Sequence, residues 1–385
     1  MTKYFIYICF SLNIVGCSVY LAKPLNTELL PSKPFISVSD YGTLSSGESI
    51  KKYQLIAEKI RLSAINYGGI ITHIEVPDRY GKWHDVVLGY DNLADYEHKN
   101  RFFGALVGRY ANRIEHGSAN ILGETVQLST NRPPHQLHGG FKGFDKQVWQ
   151  AETEQRVDSV VLHLRHTSPD GYEGYPGELQ VQVSYIVTNA GELLVEYRAS
   201  TNKNTIFNPT QHSYFNLSGK PNVDVLDHQL TLNAQTFIEL NNESLPTGRV
   251  LAVKGTPFDF LQSKAIGRDI GVSHKQLAIA RGYDHYFITQ KKRGELAEVA
   301  QLYHPDSGRL LRVSSTEKGA QLYSANYLNN SVIGKKGNVS MPQQGICIET
   351  GQLPNAPAQE VFDSYILTPE NPFYSLTQFA FSTKQ

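Results

Sequence analysis

The sequence predicts an all-β protein, a large antiparallel β-sandwich, and three observations carry that expectation. Apolar and polar residues alternate strictly in several runs, as half-buried strands require. In LQVQVSYIV, Leu179, Val181, Val183 and Tyr185 share one face, with Gln180, Gln182 and Ser184 on the other. Turn formers are abundant, with 31 glycines and 18 prolines in 385 residues, which fits short strands joined by many turns. No stretch sustains the period of a long amphipathic helix. YQLIAEKIR at 53–61 comes nearest, and Gly68-Gly69 soon follow it.

Residues 1–22 read as a signal peptide. Lys3 precedes an apolar run from Tyr4 to Val15, and the small residues Gly16, Cys17 and Ser18 follow. That run is too short to span a bilayer but suits the core of an export signal. Ile14-Val15-Gly16-Cys17 also resembles a bacterial lipobox, which would make Cys17 a lipid anchor and the sole membrane attachment. The expected location is therefore the periplasm or cell envelope, with the cytoplasm as the alternative. Residues 23–34, KPLNTELLPSKP, carry three prolines and no period, and read as a tether. The body, 35–385, shows no linker and is read as one domain. Within it, Leu193, Val195 and Tyr197 alternate after the turn Asn189-Ala190-Gly191. Pro305-Asp306-Ser307-Gly308 separates two apolar runs, the chemistry of a hairpin turn.

Composition excludes some functions. Lysine plus arginine and aspartate plus glutamate number 36 each, so the chain lacks the basic surplus a nucleic-acid binder needs. With Cys9 and Cys17 in the leader, Cys347 stands alone in the body, and no internal disulfide can form there. Hydrophobic residues at 40% can build a core without one.

Four segments break the alternation and concentrate polar and aromatic groups. FGALVGRYANRI sets Arg109 and Arg113 among small and apolar residues, where a guanidinium needs a fixed acceptor. RPPHQLHGGFKGFD holds His135 and His138 between proline and glycine pairs. Those flanks exclude a regular helix and argue against a metal motif, while Gly139-Gly140 point to a close backbone approach. NPTQHSYFNLSG places His212 beside Tyr214 and Phe215 with no strand alternation; Pro209, the amides and the two aromatics would form the wall that aims the imidazole. In GICIETGQLPNAPAQ, Ile346 and Ile348 face one side of a strand and Cys347 and Glu349 the other, with Glu349 at the mouth of a loop. Smaller signals are Asp284 in GYDHYFI, Gln321 in AQLYSANYL, and the loop SPDGYEGYPGE with two exposed tyrosines. Aromatics beside amides, carboxylates and arginine suit a sugar, whose C–H faces stack while its hydroxyls hydrogen-bond.

Seven of these segments together, in order over residues 100–360, resemble the aldose 1-epimerase (galactose mutarotase) family: FGALVGRYANRI, QLHGGFKGFDKQVW, SPDGYEGYPGEL, NPTQHSYFNLSG, GYDHYFI, QLYSAN and GICIETGQLPNAPAQ. The departures are Tyr110, where many members carry valine, and the leader. The resemblance implies a galactose-mutarotase-like supersandwich. It implies interconversion of α and β anomers of free hexoses such as glucose and galactose, with no cofactor and no metal. It assigns Glu349 as general base and His212 as general acid. Asn112, Arg113, His138, Asp284 and Gln321 are carried over as substrate-binding residues.

Ring opening removes a proton from the anomeric hydroxyl and gives one to the ring oxygen, which a carboxylate and an imidazolium can do together. Spacing alone leaves open which imidazole serves the ring oxygen; the resemblance assigns His212. A glycoside hydrolase would need two carboxylates flanking the bond, whereas these segments pair a carboxylate with histidines. A non-catalytic sugar-binding module would need neither. Mutarotation of hexose 6-phosphates would call for a basic phosphate pocket.

Overall fold

Alternating burial along the strands builds three large antiparallel sheets. The computed structural model describes residues 33–99, 101–359 and 366–385; the expected leader and all but the last two residues of the expected tether lie outside them. A five-stranded sheet runs in sequence order from Phe35–Thr43 to Trp83–Asp85. A nine-stranded sheet follows the order Gln150–Gln155, Ser159–Ser168, Leu179–Thr188, Glu192–Thr201, Phe373–Thr383, Arg309–Ser315, Ala297–Tyr303, Gln229–Leu232 and Lys264–Ala265. A second five-stranded sheet orders Pro246–Ala252, Ala234–Leu240, Asp284–Thr289, Gly319–Tyr323 and Cys347–Gly351. One apolar cluster joins their inner faces, including Leu62, Leu164, Val183, Phe237, Val313 and Ile348. Burying each such side chain contributes about 1.5–3 kcal/mol. The architecture is the all-β sandwich expected.

Leu179, Val181, Val183 and Tyr185 are buried, as are Leu193, Val195 and Tyr197 on the neighbouring strand. Ser184, placed on the opposite face, is buried too because His163 covers its hydroxyl at 2.9 Å. Pro305–Gly308 joins Ala297–Tyr303 to Arg309–Ser315 as a hairpin. Residues 53–61 are the end of Ser49–Ile56, a turn, and the start of Arg61–Ile65. The α-helices among the described residues are Leu93–His98 and Lys275–Ala280, each one and a half turns long.

Arg109 has the fixed acceptors its apolar surroundings demand. Its guanidinium donates to Ser168 Oγ at 3.0 Å and to the carbonyls of Ser168 and Pro169 at 2.8 Å. It also reaches the carbonyls of Pro176 at 3.2 Å and Gly177 at 2.9 Å. This draws the Gly/Pro loop after Ser168 inward and corrects the expectation of two exposed tyrosines. Tyr175 is buried against Arg109, and its hydroxyl donates to Gln136 Oε1; Tyr172 is half-buried. The close approach expected at Gly139-Gly140 is to the chain itself. At Gly139, with φ of +88°, a Cβ would sit 1.8 Å from the Gly108 carbonyl oxygen. At Gly140 it would meet the Glu173 carboxylate, which accepts from the Phe141 and Lys142 amides at 3.0 Å.

Replacing Arg109 with leucine takes the donor from five acceptors, those of Ser168 and Gly177 in buried contacts. Thermal or urea unfolding of Arg109→Leu should show a loss of at least about 3 kcal/mol. A loss below about 1 kcal/mol would mean the loop finds other donors.

Candidate active site

Two short ladders and one sheet edge converge on a single cavity. Thr210–His212 pairs antiparallel with Ala105–Val107, setting His212 opposite Ala105, and the Gly104 amide donates to the His212 carbonyl at 3.0 Å. Arg113–Ile114 pairs with Gln136–Leu137, which brings Arg113 beside the His138 turn. In the second five-stranded sheet Gln321 lies between Tyr286 and Glu349, while Asp284 faces Tyr323. The cavity, about 470 Å³, is lined by Phe102, Arg113, His138, His212, Asp284 and Glu349 among others.

The interlock of Asn112 and His138 fixes one tautomer. The Asn112 amide donates to His138 Nδ1 at 3.1 Å, and the His138 amide donates back to the Asn112 carbonyl at 3.0 Å. Nδ1 is thus an acceptor, and the neutral ring carries its proton on Nε2. Burial, then the charges of His212 and Arg113, pull the His138 pKa well below the usual imidazole value, so the ring is a neutral donor. Asn112, His138 and neighbouring Phe102 all adopt left-handed backbone, with φ of 66°, 53° and 58°. Such strain at non-glycine residues costs about 1 kcal/mol or more each and gathers where function constrains the chain.

His212 and Glu349 are in buried contact. Nε2 lies 3.4 Å from Glu349 Oε1, and the side chains are 4% and 6% exposed. Burial pushes the His212 pKa down to about 4, partly offset by its own main-chain carbonyl. Burial, followed by repulsion from Asp284 and opposed by Arg113, raises the Glu349 carboxyl well above the carboxylate range. Both directions favour the neutral form of each partner. Asp284 is likewise raised by burial, with Arg113 and a 2.6 Å hydrogen bond from Gln321 Nε2 opposing. Tyr214 stacks on the His212 ring at 5.0 Å and Phe102 at 5.9 Å.

Six of the seven expected site residues line this cavity. Gln321 does not; it stands behind Asp284 and orients it. Asn112 is half engaged already, its Oδ1 accepting from the Arg113 amide at 2.8 Å. Of the expected wall, Tyr214 packs on His212, whereas Phe215 turns into the main core against Phe379. Phe102, one residue before FGALVGRYANRI, was missed, as was Glu243, whose loop carries no motif. Glu243 stands 3.8 Å from His135 at the cavity wall.

Among the described residues neither candidate ligand cluster suits a metal. Within His212, Cys347 and Glu349, the thiol faces Nδ1 and the carboxylate faces Nε2, so the two partners address opposite nitrogens of one ring. In Asp227, His228 and His304, His228 Nε2 accepts from the Leu217 amide at 3.0 Å and His304 Nδ1 from the Ser307 amide at 3.2 Å. The nitrogens turned toward Asp227 therefore carry protons, and the cluster is a hydrogen-bonded knot.

The raised Glu349 carboxyl binds its proton more tightly folded than unfolded, so stability falls as pH rises above the unfolded value near 4.5. His212, lowered to about 4, works the other way and costs stability as pH falls from 6.5 toward 4. Glu349→Gln should therefore raise stability at pH 7, and His212→Gln should raise it near pH 4, each by roughly 1–3 kcal/mol. Urea titrations across pH 4–8 read both, and unchanged profiles would contradict the burial argument.

The chain is similar to known proteins over most of its length. The family profile described as aldose 1-epimerase matches residues 51–380. Galactose mutarotase of Sus scrofa is 39% identical over 348 residues, covering 90% of this chain and 98% of that protein. Aldose 1-epimerase of Escherichia coli (strain K12) is 32% identical over 323 residues, covering 83% and 91%. The crystal structure of galactose 1-epimerase from Lactobacillus acidophilus superposes with a TM-score of 0.80 at 26% identity, covering 91% of this chain and 100% of that one. The chain belongs to the aldose 1-epimerase family.

Proposed function

We propose that the protein interconverts the α and β anomers of free aldohexoses such as glucose and galactose, with Glu349 as general base and His212 as general acid. The observation that carries this reading is the 3.4 Å contact between the two groups inside a cavity walled by hydrogen-bonding side chains. The reacting form has Glu349 as carboxylate and His212 as imidazolium. Glu349 takes the anomeric hydroxyl proton, the C1–O pair closes to a carbonyl, and the bond from C1 to the ring oxygen breaks. The ring oxygen keeps that bonding pair and takes the Nε2 proton of His212. The aldehyde turns about C1–C2, and the ring closes from the other face with the roles reversed.

Burial gives this step its direction. Before opening, the site holds two charges away from water; after it, Glu349 is protonated and His212 neutral. The low-dielectric cavity favours the second arrangement, which offsets part of the cost of opening the ring. The groups around the pair fit positioning roles. Arg113 and Asp284 face the cavity as partners for sugar hydroxyls, Gln321 holds Asp284, and His138 offers Nε2–H to an oxygen. Holding the open chain in reach during rotation is worth as much as the proton transfers themselves.

The leader pattern supports export, with Cys17 as an acyl acceptor at the envelope. Among the described residues no helix is long and apolar enough to cross a membrane. The mass of the mature N-terminal peptide distinguishes acylation at Cys17 from cleavage elsewhere.

Wild-type protein should speed the decay of optical rotation of fresh α-glucose or α-galactose. Glu349→Gln and His212→Gln should each lower kcat at least about a hundredfold. An unchanged decay with wild-type protein rules out the catalytic reading.

A further inference from the structure

The acid–base pair accounts for His212 Nε2 but leaves the other ring nitrogen without a described purpose. In the step above His212 surrenders its Nε2 proton and must keep the one on Nδ1 throughout. If the neutral ring settled as the Nε2–H tautomer, it could not take a proton back when the pyranose recloses. Something must hold Nδ1–H in place. Enzymes that use histidine this way commonly set a carboxylate behind it.

Here the group behind Nδ1 is a thiol. Cys347 Sγ lies 3.6 Å from Nδ1, within reach of a sulfur hydrogen bond. Strand alternation puts it there, because Cys347 and Glu349 sit two apart on Cys347–Gly351 and project from the same face. Glu349 addresses one nitrogen of the ring and Cys347 the other. Cys347 is fully buried and is not among the cavity-lining residues, so it acts from behind the ring. Tyr214 and Phe102 stack on the ring and restrict its rotation about that contact.

We propose that Cys347 is the positioning residue of this acid–base pair: its sulfur accepts from His212 Nδ1–H and so keeps Nε2 as the nitrogen that gives and takes the substrate's proton. The inference rests on the acid–base reading of His212 and Glu349. Burial and the neighbouring Glu349 and Asp284 raise the thiol pKa well above its usual value, so the sulfur stays neutral. A neutral sulfur holds the Nδ1 proton without stabilising the imidazolium as a carboxylate would. The ring is thereby kept a willing acid. The other groups facing it are its own carbonyl, which mildly favours the charged form, the Glu349 carboxyl, the His138 ring at 5.4 Å and the Tyr323 ring at 6.4 Å. Beyond Glu349 at Nε2, only the His212 carbonyl among these can also accept from the ring, and because Cys347→Ala leaves it in place, the change on losing Cys347 reads the sulfur's own share.

Cys347→Ala and Cys347→Ser test this in two readouts. In ¹⁵N spectra of histidine-labelled protein, with His212 assigned through His212→Gln, the wild-type neutral ring should be the Nδ1–H tautomer. Cys347→Ala should lower the His212 titration by about half a pH unit, the effect of losing one weak acceptor to a charged ring. In polarimetry the same variant should lose kcat several-fold with KM little changed, and the limb of the pH profile set by His212 should move with the titration. Cys347→Ser, which retains an acceptor with shorter reach, should fall between alanine and wild type in both measurements. A bare Nδ1 in the wild-type neutral ring would overturn the proposal, as would an alanine variant that titrates like wild type, or a serine variant no better than alanine. The spectra report on Cys347 even if wild-type protein fails to catalyse mutarotation, which would instead sink the functional reading.

Discussion

The site depends on one short main-chain ladder, that between Ala105–Val107 and Thr210–His212. It joins two segments a hundred residues apart and leaves the imidazole no freedom to choose its position. Everything else registers on it. The Gly104 amide closes the ladder on the His212 carbonyl, and the Leu106 amide bonds the Gly68 carbonyl, tying the site to the N-terminal sheet. From the other side the Phe215 amide and carbonyl exchange hydrogen bonds with Ile346, one residue before the strand that carries Glu349. The acid and the base are thus fixed relative to one another by backbone, which resists small displacement far better than a pair of flexible side chains.

The electrostatics follow from that placement. A site open to water would let His212 and Glu349 ionise independently. Here burial dominates the shifts of both, and Arg113 is the positive charge that tempers Glu349 and Asp284 alike. Gln321 extends the logic one layer outward. Its amide donates to Asp284 while its own Oε1 is buried with no partner among the described residues, a cost consistent with keeping a carboxylate aimed.

The strands were legible because half-buried sheets write their two faces into the sequence as alternation, as at Leu179–Tyr185. Their order was not. Phe373–Thr383 lies between Glu192–Thr201 and Arg309–Ser315, a pairing across nearly two hundred residues that no local pattern encodes. The site residues were legible as residue types that break alternation, and six of seven reach the cavity. What escaped were consequences of tertiary packing. Gln321 was legible as an amide among aromatics, not as a group standing behind Asp284. Phe102 lies just outside FGALVGRYANRI and carried no signal of its own, and Tyr175 looked exposed because a Gly/Pro loop normally is, until Arg109 pulls it in. The glycines of LHGG signalled close approach correctly, though the partner is the chain's own Gly108 carbonyl.

One further consequence lies in what holds the domain together. Among the described residues Cys347 is the sole cysteine, sealed from solvent beneath a histidine. The fold therefore draws nothing from the redox poise of its surroundings, and its core and hydrogen bonds are worth the same in a reducing cytosol and in an oxidising envelope. A change of redox surroundings would ask nothing of the described residues.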